Sequence, residues 1–166
     1  MSQKFETSKV AGKHLWLCKL AGKWKGTTKV WFEPEVLGDE SPAEGTMRCV
    51  LGERFILHEY KGSLQGSPLE GIAIYGFSLT TEKFQSAWVD SFHNGTSIMF
   101  SESGKGGDFS VLGSYAYITP ETEQYWGWRT EILMPDDDTV VITAYNISPD
   151  GSMDVKAMET TYHRIH

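Results

Sequence analysis

Five charged residues occupy positions where a strand should bury its side chains. Glu59, Asp90, Arg129, Glu131 and Glu159 all have aromatic or aliphatic neighbours in extended-looking segments. A charge turned inward must find a partner or several hydrogen bonds. Arg129 set against Glu59, Asp90 or Glu159 would make a polar anchor inside an aromatic lining of Tyr75, Phe77, Trp88 and Tyr125. That is the usual make-up of a small-molecule pocket. Two carboxylates brought close would also support general acid–base chemistry, although no spacing in the sequence requires it. A satisfied internal network, or charges facing water, would produce the same pattern.

Other chemistries find less support. The five histidines (His14, His58, His93, His163, His166) are scattered, and none has the one-turn spacing of a helix-borne zinc site. His58, inside a clear strand pattern, is the best candidate for a metal or haem ligand, and no motif calls for a cofactor. Glu33–Glu40 and Asp136–Asp138 read as solvated turns and match no calcium loop. Gly104-Lys-Gly-Gly-Asp108 has the composition of a phosphate loop without its Lys-Ser/Thr pair. Nucleophile-elbow and dinucleotide-binding glycine motifs are missing too.

The 166 residues carry 15 Lys+Arg against 22 Asp+Glu, a net charge of −7. With no basic stretch to neutralise phosphates, nucleic acid and anionic membrane surfaces are not expected partners. Cys18 and Cys49 are too few for a disulfide framework; one bridge is allowed, and two free thiols are expected. The N-terminus lacks the apolar stretch of a secretory signal, and no run approaches a membrane span, so a cytoplasmic location is expected.

The elements that must hold these residues are mostly strands. Helical spacing of Val10, Leu17, Leu20 and Ala21 predicts one short helix near 9–21, capped by Ser8 and ended by Gly22. Residues 1–8 read as a flexible N-terminus and 9–166 as a single domain. Strands are expected at 24–33, 45–51, 54–63, 69–79, 84–92, 96–102, 108–118, 124–133, 139–147 and 152–164. Residues 34–44 read as a loop, Asn94-Gly95 as a tight hairpin and Ser148–Gly151 as a type I turn. Such short connections suit antiparallel neighbours, and ten strands avoid open edges by closing into a barrel. A two-sheet sandwich is the alternative.

Several ordered motifs carry a resemblance. They are Leu20-Ala-Gly-Lys-Trp24 after the helix, Leu51-Gly-Glu-Arg-Phe55 with Glu59-Tyr60, Tyr75-Gly-Phe77, Lys83-Phe84, Trp88-Val-Asp-Ser91, Arg129-Thr-Glu-Ile132 and Met158-Glu-Thr-Thr-Tyr-His-Arg164. Together, over residues 14–164, they resemble the uncharacterised domain-of-unknown-function family 1579. The resemblance implies an up-and-down, lipocalin-like (calycin-type) β-barrel and no particular activity. Wider similarity to lipocalins implies that Trp24, on the first strand, packs beneath Arg164 from the last, a structural cation–π contact.

Three functions fit these observations. One is a carrier or sensor for a small apolar or amphipathic molecule inside the barrel. Another is an enzyme using Asp90, Glu131 or Glu159 with Arg129 holding an anionic group. The third is an interaction module, a homodimer through exposed Trp31, Trp126 and Trp128.

Overall fold

The alternating pattern after Gly22 builds one closed sheet. A computed structural model describes residues 2–166. Its elements are α1 (Gln3–Ala11), α2 (Lys13–Lys19), β1 (Gly22–Glu33), β2 (Val36–Val50), β3 (Phe55–Leu64), β4 (Ser67–Ser78), β5 (Lys83–Asp90), β6 (Met99–Ser103), β7 (Ser110–Ile118), β8 (Glu123–Asp136), β9 (Thr139–Ile147) and β10 (Asp154–Ile165). Each strand pairs antiparallel with its sequence neighbour, and β10 closes on β1. The closing seam runs in unbroken register from Lys23 opposite Ile165 to Val30 opposite Met158. Closure removes the two terminal strand edges that an open sheet would leave to template association.

Gly26 makes the seam possible. A Cβ there would lie 1.7 Å from the Thr161 carbonyl oxygen, so only glycine lets β1 and β10 approach this closely.

Three elements differ from the sequence reading, each for a local reason. The helix is broken in two because Gly12 is extended, with φ −126° and ψ −156°. Ser8 lies inside α1 rather than ahead of a helix, and its Oγ accepts a bond from the His14 backbone N–H across the break. Helix also begins at Gln3, with Phe5 buried against the His14 ring. The expected loop at 34–44 is mostly strand. Glu35, with φ 62°, turns the chain within two residues, and β2 then follows β1 from Val36. Pro42 is tolerated because β3 pairs with β2 only from Glu44 onward, leaving that stretch a one-sided edge. Asn94-Gly95 forms no two-residue hairpin. Strand β5 ends at Asp90, and eight residues, 91–98, intervene before β6.

Alternation places one face of every strand inside. At one end Leu17 and Leu20 of the helical segment pack with Trp24, Phe84, Phe109, Val111, Ile132 and Val140 in the main core. The C-terminal carbonyls of α2 are satisfied from below: Trp24 Nε1 donates to Leu20 O at 3.0 Å, and Arg164 donates to Lys19 O and Ala21 O at 3.0 and 2.6 Å. The Arg164 guanidinium lies 4.3 Å from the Trp24 ring centroid. Helices, first strand and last strand are thus clasped together at this end. At the other end Met99, Trp128 and Ala144 form a second, smaller cluster, with Trp88, Tyr115, Ala157 and Met158 against it. We refer to this end as the mouth.

Candidate functional site

Between the two clusters lies a cavity of about 70 Å³. By volume it has room for about five waters or one compact molecule. Strands from all around the barrel contribute: Thr28, His58, Tyr60, Tyr75, Trp88 and Trp128 are among the residues that line it, with Ala144, Met158 and Thr160 closing the far wall. A wider hollow of about 900 Å³ lies largely along the outer face of β1–β5, where Lys25, Glu44, Glu59, Lys61 and Glu70 alternate in charge. It is open to solvent and offers no enclosure, so the interior cavity is the candidate site.

The polar groups of the interior are few and mutually bonded. His58 is buried, with Nδ1 3.0 Å from the Tyr75 hydroxyl and Nε2 3.5 Å from that of Tyr162. Burial drives its pKa from the ordinary 6.5 to about 3, so the ring is neutral at physiological pH. Both nitrogens already face hydroxyls, and among the described residues no three or more His, Cys, Asp or Glu gather as metal ligands. His58 therefore reads as a hydrogen-bonding core residue. Tyr60 accepts a 2.7 Å bond from Trp88 Nε1. Burial, and secondly the nearby Asp90 charge, push its hydroxyl well above the ordinary tyrosine range. Burial does the same for Tyr75 and Tyr162. Thr28 and Thr160 share a 2.7 Å hydroxyl bond across the seam. Glycine makes room for the rings: a Cβ on Gly71 would sit 2.2 Å from the Tyr60 ring.

Of the nine residues expected in a pocket, Tyr75 and Trp88 line this cavity. Phe77 faces the same interior nearer the helices, 5.0 Å centroid to centroid from Phe84. Asp90 also points in, its side chain wholly buried. The other five are turned outward. Trp128 and Thr130 line the cavity, so alternation puts Arg129 and Glu131 on the outside. There Arg129 binds Asp154 at 2.6 Å and Glu131 at 3.1 Å and lies over the Tyr145 ring at 4.3 Å. Tyr125 is 56% exposed and donates to Glu123. Glu59 pairs with Arg48 at 3.9 Å, and Glu159 with Lys156 at 2.7 Å. The expected inward anchor of Arg129 with Glu59 or Glu159 is therefore not assembled. Arg48–Glu59 links β2 to β3, Arg129–Asp154 reaches from β8 to β10, and Arg129–Glu131 and Lys156–Glu159 lie within one strand; all keep their head groups partly in water on the outer face. Of the tryptophans expected at a subunit surface, Trp128 is only 8% exposed, whereas Trp31 and Trp126 are half-buried.

Sequence reasoning did not single out His93. Strand β5 stops at Asp90 because its Oδ1 accepts backbone N–H bonds from Phe92, His93 and Asn94 at 3.2, 2.5 and 3.0 Å. The resulting turn brings His93 back over its own strand end. His93 Nδ1 meets Asp90 Oδ2 in a short bond, and the imidazole lies 5.6 and 5.7 Å from the Trp88 and Trp128 rings. Trp88 and Trp128 are themselves stacked at 5.8 Å. Burial pushes the Asp90 carboxyl up, but His93 and the backbone N–H groups outweigh it and hold the pKa below 3.8. Asp90 is thus an anion inside the mouth.

Similarity to known proteins supports the architecture. No curated protein matches the sequence. Among solved structures, Rv2717c from M. tuberculosis superimposes with a TM-score of 0.55 at 15% identity, covering 92% of this chain and 96% of that one. An S-type phycobiliprotein lyase, CPES from Guillardia theta, gives a TM-score of 0.54 at 11% identity, covering 92% of each chain. At such identities the likeness concerns the fold alone. The profile of one sequence family, described as a protein of unknown function (DUF1579), matches residues 9–164. With the closed ten-stranded barrel that its motifs imply, this chain belongs to the DUF1579 family.

Proposed function

We propose that the barrel is a binding protein of lipocalin-like type, which takes a small, mainly apolar molecule into its interior through the Trp88–Trp128 mouth. The observation that carries this reading is the interior cavity itself, walled by aromatic and aliphatic side chains with a few fixed hydroxyls. Such a lining rewards an apolar ligand through burial and orients it through one or two hydrogen bonds. A molecule larger than the present volume enters by displacing Met158 or the Trp pair, which belong to the smaller and less buried cluster. The test is native mass spectrometry of protein purified without denaturant, followed by thermal shift against small aromatic and aliphatic compounds. A bound mass, or stabilisation lost when Ala144→Phe fills the cavity, supports the reading. Absence of both across the panel overturns it.

A second reading, chemistry on the bound molecule, draws on Asp90. It is the one expected carboxylate that faces inward, and its side chain is fully shielded from solvent. Arg129 contributes to such chemistry only from the outer face, with Asp154 and Glu131 already bound.

A further inference from the structure

Beyond holding a ligand, the mouth contains a paired carboxylate and imidazole that the binding reading leaves unused. Asp90 is locked by three backbone N–H groups on one oxygen, and its other oxygen is aimed at His93 Nδ1. A carboxylate so placed holds a proton on Nδ1, so that a ring carrying a single proton offers Nε2 as the acceptor. That nitrogen has no hydrogen-bond partner among the described residues. The ring is held edge-on to Phe92 at 4.9 Å and beside Trp88 and Trp128. Its side chain keeps 16% of its surface open to solvent, whereas that of Asp90 keeps none. An incoming molecule therefore meets imidazole, while the carboxylate stays shielded behind it.

We infer that Asp90 and His93 form a proton-accepting pair for a flat, weakly acidic ligand, a phenol or an enol, seated against the Trp88–Trp128 wall. The ligand O–H proton passes to His93 Nε2. The imidazolium so formed is stabilised by the Asp90 carboxylate, which keeps its own charge, and the ligand oxyanion stays hydrogen-bonded to the new N–H. His93 touches the reacting atom, and Asp90 acts through it as a positioning residue. Tyr60, Tyr115 and His58, which face the same interior, do not compete. Tyr60 is held protonated by burial and by Asp90. Tyr115, partly buried, is raised as well and donates to Asn146 at 2.8 Å. Buried His58 stays neutral.

This inference rests on the ligand-binding reading, and the probes separate the two. 4-Nitrophenol, whose phenolate absorbs in the visible, is titrated alongside 4-nitroanisole, which has no proton to give. The expected result is that both bind and that the bound phenol ionises about tenfold more readily than in free solution, one pH unit lower. His93→Gln and Asp90→Asn should lose the phenolate band. Nitrogen-15 NMR of the unaltered protein should show His93 Nε2 gaining a proton as 4-nitrophenol is added, a readout that needs no variant to fold. Binding of both probes with no change in ionisation, or a phenolate band that survives His93→Gln, overturns the inference and leaves the binding site standing. If neither probe binds, the ligand-binding reading fails for this class of molecule and the inference falls with it.

Discussion

Acidification should weaken this fold through one residue, His58. In the folded protein burial holds its pKa near 3 against 6.5 for the free side chain. Between those values the unfolded chain takes up a proton that the folded chain refuses, so stability is fully present above about pH 6.5 and is lost as pH falls toward 3. Protonation of the unfolded state at pH 5 gives a loss of about 2 kcal/mol relative to pH 7. That is a sizeable share of the roughly 5–15 kcal/mol that holds a domain together. Urea denaturation at pH 5, 6 and 7 measures it directly. His58→Gln keeps an amide near the Tyr75 hydroxyl and removes the titration, so its stability at pH 7 drops while its loss between pH 7 and 5 shrinks by about 2 kcal/mol. His14, whose pKa burial also lowers, contributes in the same direction to both proteins and cancels in the difference. Equal pH slopes in the two proteins would mean instead that His58 is hydrated or able to protonate in place.

Other substitutions probe the closure of the barrel. Arg164→Ala removes the guanidinium from Trp24 together with its bonds to Lys19 O, Ala21 O and Asp137 O. It should cost about 2–4 kcal/mol in chemical denaturation, with Arg164→Lys recovering only part. Gly26→Ala forces a Cβ into the Thr161 carbonyl and should raise amide hydrogen exchange along β1 and β10. Gly104→Ala, with nothing within 4 Å, should change stability by less than about 0.5 kcal/mol. Cys18, whose thiol burial and then its neighbour Cys49 push up to about 12, should react with iodoacetamide at least about 100-fold more slowly in the folded chain than in urea.

How much of this was legible in the residues depends on what period two can and cannot show. Alternation places Phe84, Ser86, Trp88 and Asp90 on one face of β5, and Leu69, Gly71, Ala73, Tyr75 and Phe77 on one face of β4, and in the barrel both faces turn inward. On β8 the same rule separates Arg129 from Trp128 but does not say which side is inside. Aromatic residues line both faces there, with Tyr145 beneath Arg129 on the outside. The Arg48–Glu59 pair joins β2 to β3, and Lys156–Glu159 joins two residues of β10 across the irregularity between Lys156 and Met158, so strict alternation along one strand is silent about both. His93 was invisible for a different reason. The Asp90-Ser-Phe-His93 spacing brings the two side chains together only because Asp90 captures three backbone amides and ends the strand, whereas Asn94-Gly95 pointed to a hairpin. Likewise Pro42 argued for a loop, yet a strand paired on one side only accommodates it. Ser148–Gly151 was simpler: the Gly151 N–H closes the turn on Ser148 O at 2.9 Å.

A ligand held inside the barrel as proposed sits against the mouth tryptophans. The most direct measurement is a nitrogen-15 NMR titration of the indole N–H signals with 4-nitroanisole, each of the six tryptophans assigned by substitution. Trp88 and Trp128 should shift saturably while Trp16, among the helices, and Trp31, beneath Lys156, stay in place. Shifts confined to Trp31, or no saturable shift at Trp88 and Trp128, would contradict that placement.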